Sequence, residues 1–191
     1  MKFKSAAQRS AVIITILILS IVFGYIYQSV GYRMDLEKHP REYTEFVSKY
    51  SAEYGVPEYM VYGLILAESD FQSNFLSEDG KIGLMQLSPE TYKSMQALTK
   101  ESAEAGILYD PETNIRYGTY RLSYLFTEYS RWKTVIAIYV SDENTVKAWL
   151  ENPAYTDDNG NLTKIPDSDI AEKAARIEEK AEMYRELYYS E

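Results

Sequence analysis

From Ala11 to Tyr27 the chain reads Ala-Val-Ile-Ile-Thr-Ile-Leu-Ile-Leu-Ser-Ile-Val-Phe-Gly-Tyr-Ile-Tyr, and no charged residue follows until Arg33. A run of this length and polarity suits a helix that crosses a bilayer better than any element of a small water-soluble core. Lys2, Lys4 and Arg9 precede it without an acid. Residues 1–10 are therefore expected to form a cytoplasmic tail, residues 11–30 a transmembrane signal-anchor helix, and everything after Arg33 an extracytoplasmic part. Tyr25 and Tyr27 suit the outer interface. A cleavable signal peptide is the alternative, with Val22 and Gly24, or Ser29 and Gly31, as small residues before a cut. The apolar run exceeds a usual signal core and lacks an Ala-x-Ala exit, which favours the uncleaved anchor. The chain has no cysteine, so a lipid anchor on that residue is excluded.

After a linker over 31–41, residues 42–191 read as one domain of capped helices, with no run of alternating strand residues. The expected class is all-α. Pro40 is expected to open a first helix carrying Tyr43, Phe46, Val47, Tyr50 and Tyr54, which Gly55 closes. Pro57 opens a second, with Met60, Val61, Leu64, Ile65 and Ala67 toward a core. A loop is expected from about Gln72 to Leu87. Ser88-Pro89 and Asp110-Pro111 start two more helices, and Asp142 caps a short one. Asn159-Gly160 marks a tight turn rather than a calcium loop, and a last helix spans about Ser168 to Tyr189.

The chain's formal charge is −9, and Lys2, Lys4 and Arg9 contribute +3, so the rest sums to −12. Such a surface repels nucleic acid. Without cysteine, and with His39 as the only histidine, neither a thiolate site nor a metal site is expected, and no cofactor is called for. His39 beside Pro40 reads as a solvated linker residue.

Two pieces of the middle region carry chemistry in a recognisable order. Gly55-Val-Pro-Glu-Tyr-Met-Val-Tyr-Gly-Leu-Ile-Leu-Ala-Glu-Ser-Asp-Phe71 places Glu68-Ser69 at a helix end, and Gly83-Leu84-Met85-Gln86 follows after a loop. Ser88-Pro89-Glu90-Thr91, the stretch Asp110-Pro111-Glu112-Thr113-Asn114-Ile115-Arg116-Tyr117-Gly118, and a final helix ending Tyr184-Arg185-Glu186-Leu187-Tyr188 come later. Together they resemble the soluble lytic transglycosylase family, from near Tyr43 to the C-terminus. The resemblance implies a lysozyme-like domain that cuts peptidoglycan glycan strands at the MurNAc–GlcNAc β-1,4 bond and leaves a 1,6-anhydro end.

In that family one glutamic acid delivers a proton to the leaving oxygen and then acts as base for the sugar's own 6-hydroxyl. Glu68 suits the task, because it lies in the last turn of its helix, where the dipole disfavours a carboxylate, and Leu64 and Ile65 lie one turn earlier. The resemblance makes Ser69, Met85, Gln86 and Tyr139 the substrate-binding set. Asn114, Ile115 and Gly118 read as packing positions beneath the site.

One segment departs from the pattern. The family usually reads Ala-x-Tyr-Asn-x-Gly, whereas Ala137-Ile138-Tyr139-Val140-Ser141-Asp142 puts Val140 at the asparagine and Asp142 at the glycine. The lost amide implies weakened grip on the glycan. Two other functions stay open: a hydrolytic muramidase of goose-lysozyme type, with Glu78 or Asp79 positioning water, and a non-catalytic glycan-binding scaffold of an envelope assembly, whose protein partners the sequence does not specify.

Overall fold

The protein is described from a computed structural model covering residues 6–100 and 105–190. It divides into two units, Met1–Pro40 and Arg41–Glu191. In the first, α1 runs from Ala6 to Lys38. At about 1.5 Å per residue it is longer than the roughly 30 Å hydrocarbon core of a bilayer. Its stretch Ser10–Lys38 is long enough, and holds a window apolar enough, to cross a membrane, and its Val, Ile and Phe side chains with Leu17 and Leu19 are exposed. Lys2 and Lys4, on which the expected orientation rests, lie outside the described residues. The helix continues through most of the expected linker. His39 is not solvated: its ring is buried, with Nδ1 2.8 Å from the Asp35 carbonyl oxygen one turn earlier.

The second unit is all-α. Its elements are α2 (Thr44–Tyr54), α3 (Glu58–Ser69), α4 (Pro89–Thr99), a 3₁₀ turn (Ala105–Tyr109), α5 (Pro111–Tyr129), α6 (Trp132–Val140), α7 (Glu143–Leu150) and α8 (Ser168–Tyr188). Among the described residues, β-type pairing is limited to isolated bridges such as Leu76 with Ile82 and Ile82 with Leu87. The expected caps form. Ser88, Asp110 and Asp142 accept from the backbone N–H three residues on, at Thr91, Thr113 and Thr145. Pro40 does not open α2. Tyr43 takes a left-handed conformation (φ 54°), which breaks the helical path and delays the start to Thr44.

Helix α3 is the centre of the domain, with Met60 through Ile65 all buried. It packs antiparallel against α8, and three contacts set the register. Tyr189 donates to Glu58 at 2.6 Å, the rings of Tyr62 and Tyr184 stack at 5.2 Å, and Gly63 meets Ala181. A Cβ on Gly63 would lie 2.4 Å from the Ala181 backbone nitrogen, so only glycine lets the two helices approach so closely. On the other side, α2 is tied to α5 by Ser123 donating to the Tyr54 carbonyl at 2.6 Å and by Tyr50 and Lys49 donating to Glu112 at 2.8 Å each.

Candidate active site

Glu68 stands one residue before the end of α3 and is partly buried. No ion pair or hydrogen bond holds its carboxyl among the described residues. Burial raises its pKa above the ordinary carboxylate value. Positive charge on Lys81, Arg176 and Lys173 pulls it back, and Asp79 pushes it up again. Helix α3 ends immediately afterwards, because Asp70 and Phe71 both take left-handed conformations (φ 49° and 59°) and turn the chain into the loop.

The loop from Gln72 to Leu87 is pinned beneath Glu68 by groups that the sequence reading assigned to sugar binding. Ser69, 4% exposed, donates its hydroxyl to the Leu84 carbonyl at 2.8 Å, with the Ile65 carbonyl sharing that proton at 3.1 Å. Gln86, 3% exposed, takes a left-handed conformation and donates its amide to the Gly83 carbonyl at 2.7 Å and the Phe75 carbonyl at 3.3 Å. Met85 is fully buried, with its side chain against Gly118 and Thr119. Tyr139, also buried, donates its hydroxyl to the Met85 carbonyl at 2.9 Å. Ser69, Gln86 and Tyr139 thus hold the loop backbone by hydrogen bonds, while the Met85 side chain anchors it to α5.

Asn114 supplies the floor, as the sequence reading placed it. Its amide donates to the Ile82 and Leu108 carbonyls at 2.8 Å each, and its oxygen accepts from the Met85 N–H at 2.7 Å. Gly83 has φ +78°, and a Cβ there would lie 2.3 Å from the Asn114 amide nitrogen. Gly118 leaves the space that the Met85 sulfur fills. Both glycines are required by contact with the neighbouring element.

The departing segment is built into the fold. Val140 is 7% exposed and belongs to the core, while Asp142 is the N-cap of α7, with its second oxygen accepting from the Thr145 hydroxyl at 2.7 Å. Of the other acids, Asp70 is an exposed helix cap and Glu78 is exposed. Asp79 accepts from Ser77 at 2.5 Å and pairs with Lys81 at 3.4 Å, which lowers its pKa.

Sequence reasoning missed Arg121. It lies over the Tyr139 ring at 4.4 Å and donates to the Ile138 and Tyr139 carbonyls at the end of α6, at 3.4 Å each. It also lines a cleft of about 310 Å³ with Ser88, Ile138, Ser141 and Asp142. The available signal was a charged residue inside the apolar stripe Gly118, Leu122, Leu125 of α5. Lys81, Lys173 and Arg176 were missed because only the fold brings them to Glu68.

Comparison with known proteins finds relatives of this sequence and this fold. The chain is 35% identical over 97 residues to membrane-bound lytic murein transglycosylase C of Yersinia pestis, a stretch covering 49% of this chain and 27% of that one. Its fold superposes on the 70 kDa soluble lytic transglycosylase of Escherichia coli with a TM-score of 0.75 and 25% identity, covering 82% of this chain and 26% of that one. An inactive mutant of lytic transglycosylase Slt from Pseudomonas aeruginosa superposes with a TM-score of 0.71 and 21% identity, covering 80% of this chain and 25% of that one. The chain thus spans about a quarter of the length of each. The Transglycosylase SLT domain matches residues 45–161, the segment that holds Glu68, the pinned loop and Tyr139, and the chain belongs to that family.

Proposed function

We propose that the protein is a peptidoglycan lytic transglycosylase in which Glu68 is the general acid and then the base. The carrying observation is a single partly buried carboxyl with a raised pKa at the end of α3, above a loop that four buried side chains immobilise. A protonated Glu68 donates to the glycosidic oxygen, the C1–O4 bond breaks, and the resulting carboxylate takes the proton of the 6-hydroxyl as O6 closes on C1. Ser69, Met85, Gln86 and Tyr139 serve this step by fixing the backbone that faces the sugar. Asp79 is engaged by Ser77 and Lys81, which supports ring closure over activation of water by a second carboxylate. Mass analysis of muropeptides released from purified sacculi tests the reading. Products ending in 1,6-anhydro-MurNAc are expected, and reducing ends alone would favour a muramidase. No release at all would favour the scaffold.

The departure at Val140 is proposed to weaken turnover. Val140→Asn returns an amide, so a gain of roughly five- to hundredfold in cleavage at limiting substrate is expected, corresponding to one recovered polar contact. Unchanged or lower activity would show that the groove is rebuilt around the valine.

We further propose that α1 remains uncleaved with its N-terminus in the cytoplasm, on the strength of Lys2, Lys4 and Arg9 before a charge-free span. Protein from the membrane fraction should start at Met1. A mature chain starting after Gly24 or Gly31 and recovered in the medium would overturn the anchor.

A further inference from the structure

Helix α6 ends at Ser141, whose backbone (φ −122°, ψ −118°) leaves the helical path, so the last carbonyls of α6 have no following turn to accept from. Ala137 is served locally, by the Ser141 N–H at 3.1 Å and the Ser141 hydroxyl at 2.5 Å. Ile138 and Tyr139 are served from another helix. Arg121, beside buried Leu122 on α5, donates Nη2 to the Ile138 carbonyl and Nη1 to the Tyr139 carbonyl at 3.4 Å each. Its charge also meets the negative end of the α6 dipole. The same planar group lies 4.4 Å from the centre of the Tyr139 ring, so one guanidinium spans two carbonyls and an aromatic face.

Arg121 is partly buried and forms no ion pair among the described residues. The acids that follow its carbonyl partners are engaged elsewhere. Asp142 caps α7 through Thr145, and Glu143 accepts from Tyr129 and pairs with Lys147 at 2.9 Å each. Withdrawing a cation from water without a carboxylate costs free energy, so the contacts to α6 are what hold it there. Asn114, Gly118 and Arg121 stand at i, i+4 and i+7, on one face of α5. Asn114 accepts from the Met85 N–H, Gly118 leaves room for the Met85 side chain, and Tyr139, under Arg121, donates to the Met85 carbonyl at 2.9 Å. We propose that Arg121 is a positioning residue of the site: by fixing the end of α6 and the Tyr139 ring, it sets the Met85 carbonyl and with it the loop backbone beneath Glu68. This rests on the reading of Glu68 as the active-site acid.

The test compares the full chain in detergent with Arg121→Met, which keeps bulk but removes the fork and the charge, and with Tyr139→Phe, which removes only the hydroxyl. Cleavage of soluble glycan strands by Arg121→Met is expected to show a kcat about tenfold or more below the parent, because a misplacement of about 1 Å costs up to about a hundredfold. Binding of the same strands, titrated with Glu68→Gln present in both proteins, should stay within about threefold, since the effect lies on the chemical step. In the Tyr139→Phe background the Arg121 substitution should cost less than about twofold more, because the link it acts through is already cut. Hydrogen exchange over residues 83–87 reads the same path without turnover. It should quicken about tenfold in each single variant and no further in the double, while α2 keeps the parent's rates. A kcat within about twofold of the parent, losses that add in the double variant, or quickening that spreads equally to α2 would overturn the proposal. If Arg121→Met does not fold by circular dichroism, Arg121→Lys, whose ammonium cannot bridge two carbonyls, is read by the same criteria. A parent that releases no product while the exchange pattern holds would defeat the enzymatic reading and leave the positioning role standing.

Discussion

Glu68→Gln is expected to lower muropeptide release by about a hundredfold or more while leaving the helical content unchanged, since a positioned general acid contributes on that scale and the amide keeps the shape without a transferable proton. Activity within about tenfold of the parent would place the acid elsewhere. The same substitution should raise the melting temperature at neutral pH. Burial raises the folded-state pKa of Glu68 above its unfolded value, so folding favours the protonated form. Glu68's contribution is then most favourable below the ordinary carboxylate pKa of about 4 and is lost as pH rises through the elevated folded value. Glutamine does not titrate. The gain in melting temperature should therefore grow across that window and vanish in acid. A gain independent of pH would mean that desolvation of the carboxylate is not its cause. Cleavage by the parent should fall as pH rises through the same folded value, because the acid must start protonated.

Asn114→Leu should be the most damaging single change in the floor of the site. The side chains are of similar shape, so little cavity forms, but the Met85 N–H and the Leu108 carbonyl lose their partner inside the fold, and the Ile82 carbonyl keeps only the Leu87 N–H. Leaving a buried polar group unpaired costs about 1–3 kcal/mol, so two of them point to a loss of about 2–5 kcal/mol. That is a large share of the roughly 5–15 kcal/mol that holds a domain together. Urea unfolding monitored by circular dichroism measures it, with cleavage assayed well below the unfolding midpoint. The loop under Glu68 loses its anchor, so activity should fall even where the domain stays folded. A loss below about 1 kcal/mol would show that Asn114 does not carry these bonds.

Much of this arrangement could be read before any coordinates. Ser88, Asp110 and Asp142 announced helix starts because capping is local: the side chain meets an N–H three residues away in the same chain. The all-α class followed from helical spacing, and the order of Glu68, Gly83, Met85, Gln86 and Asn114 carried the family. Gly118 was expected as a packing position, and the Met85 side chain fills the space beside it.

The sequence misplaced what depends on distant partners. Pro40 looked like a helix start, yet Tyr43 breaks the path. Polar groups at Ser69 and Gln86 looked like hands for a sugar, but an amide or hydroxyl in a sequence does not reveal whether it faces the groove or a backbone carbonyl. The fold turned both toward the loop. Val140, read from the sequence as a missing amide, is also a core residue in the fold.

The sequence alone determined the membrane-suited apolar helix, the helical class and the family to which the chain belongs, because periodicity, caps and motif order are properties of neighbouring residues. Only the tertiary structure decided that Arg121 lies over Tyr139 and that Lys173 and Arg176 stand level with Glu68. The second placement follows from the close approach at Gly63 and the register of α3 on α8. Side chains more than a hundred positions apart in the chain are set beside one another by that packing, and no local pattern records it.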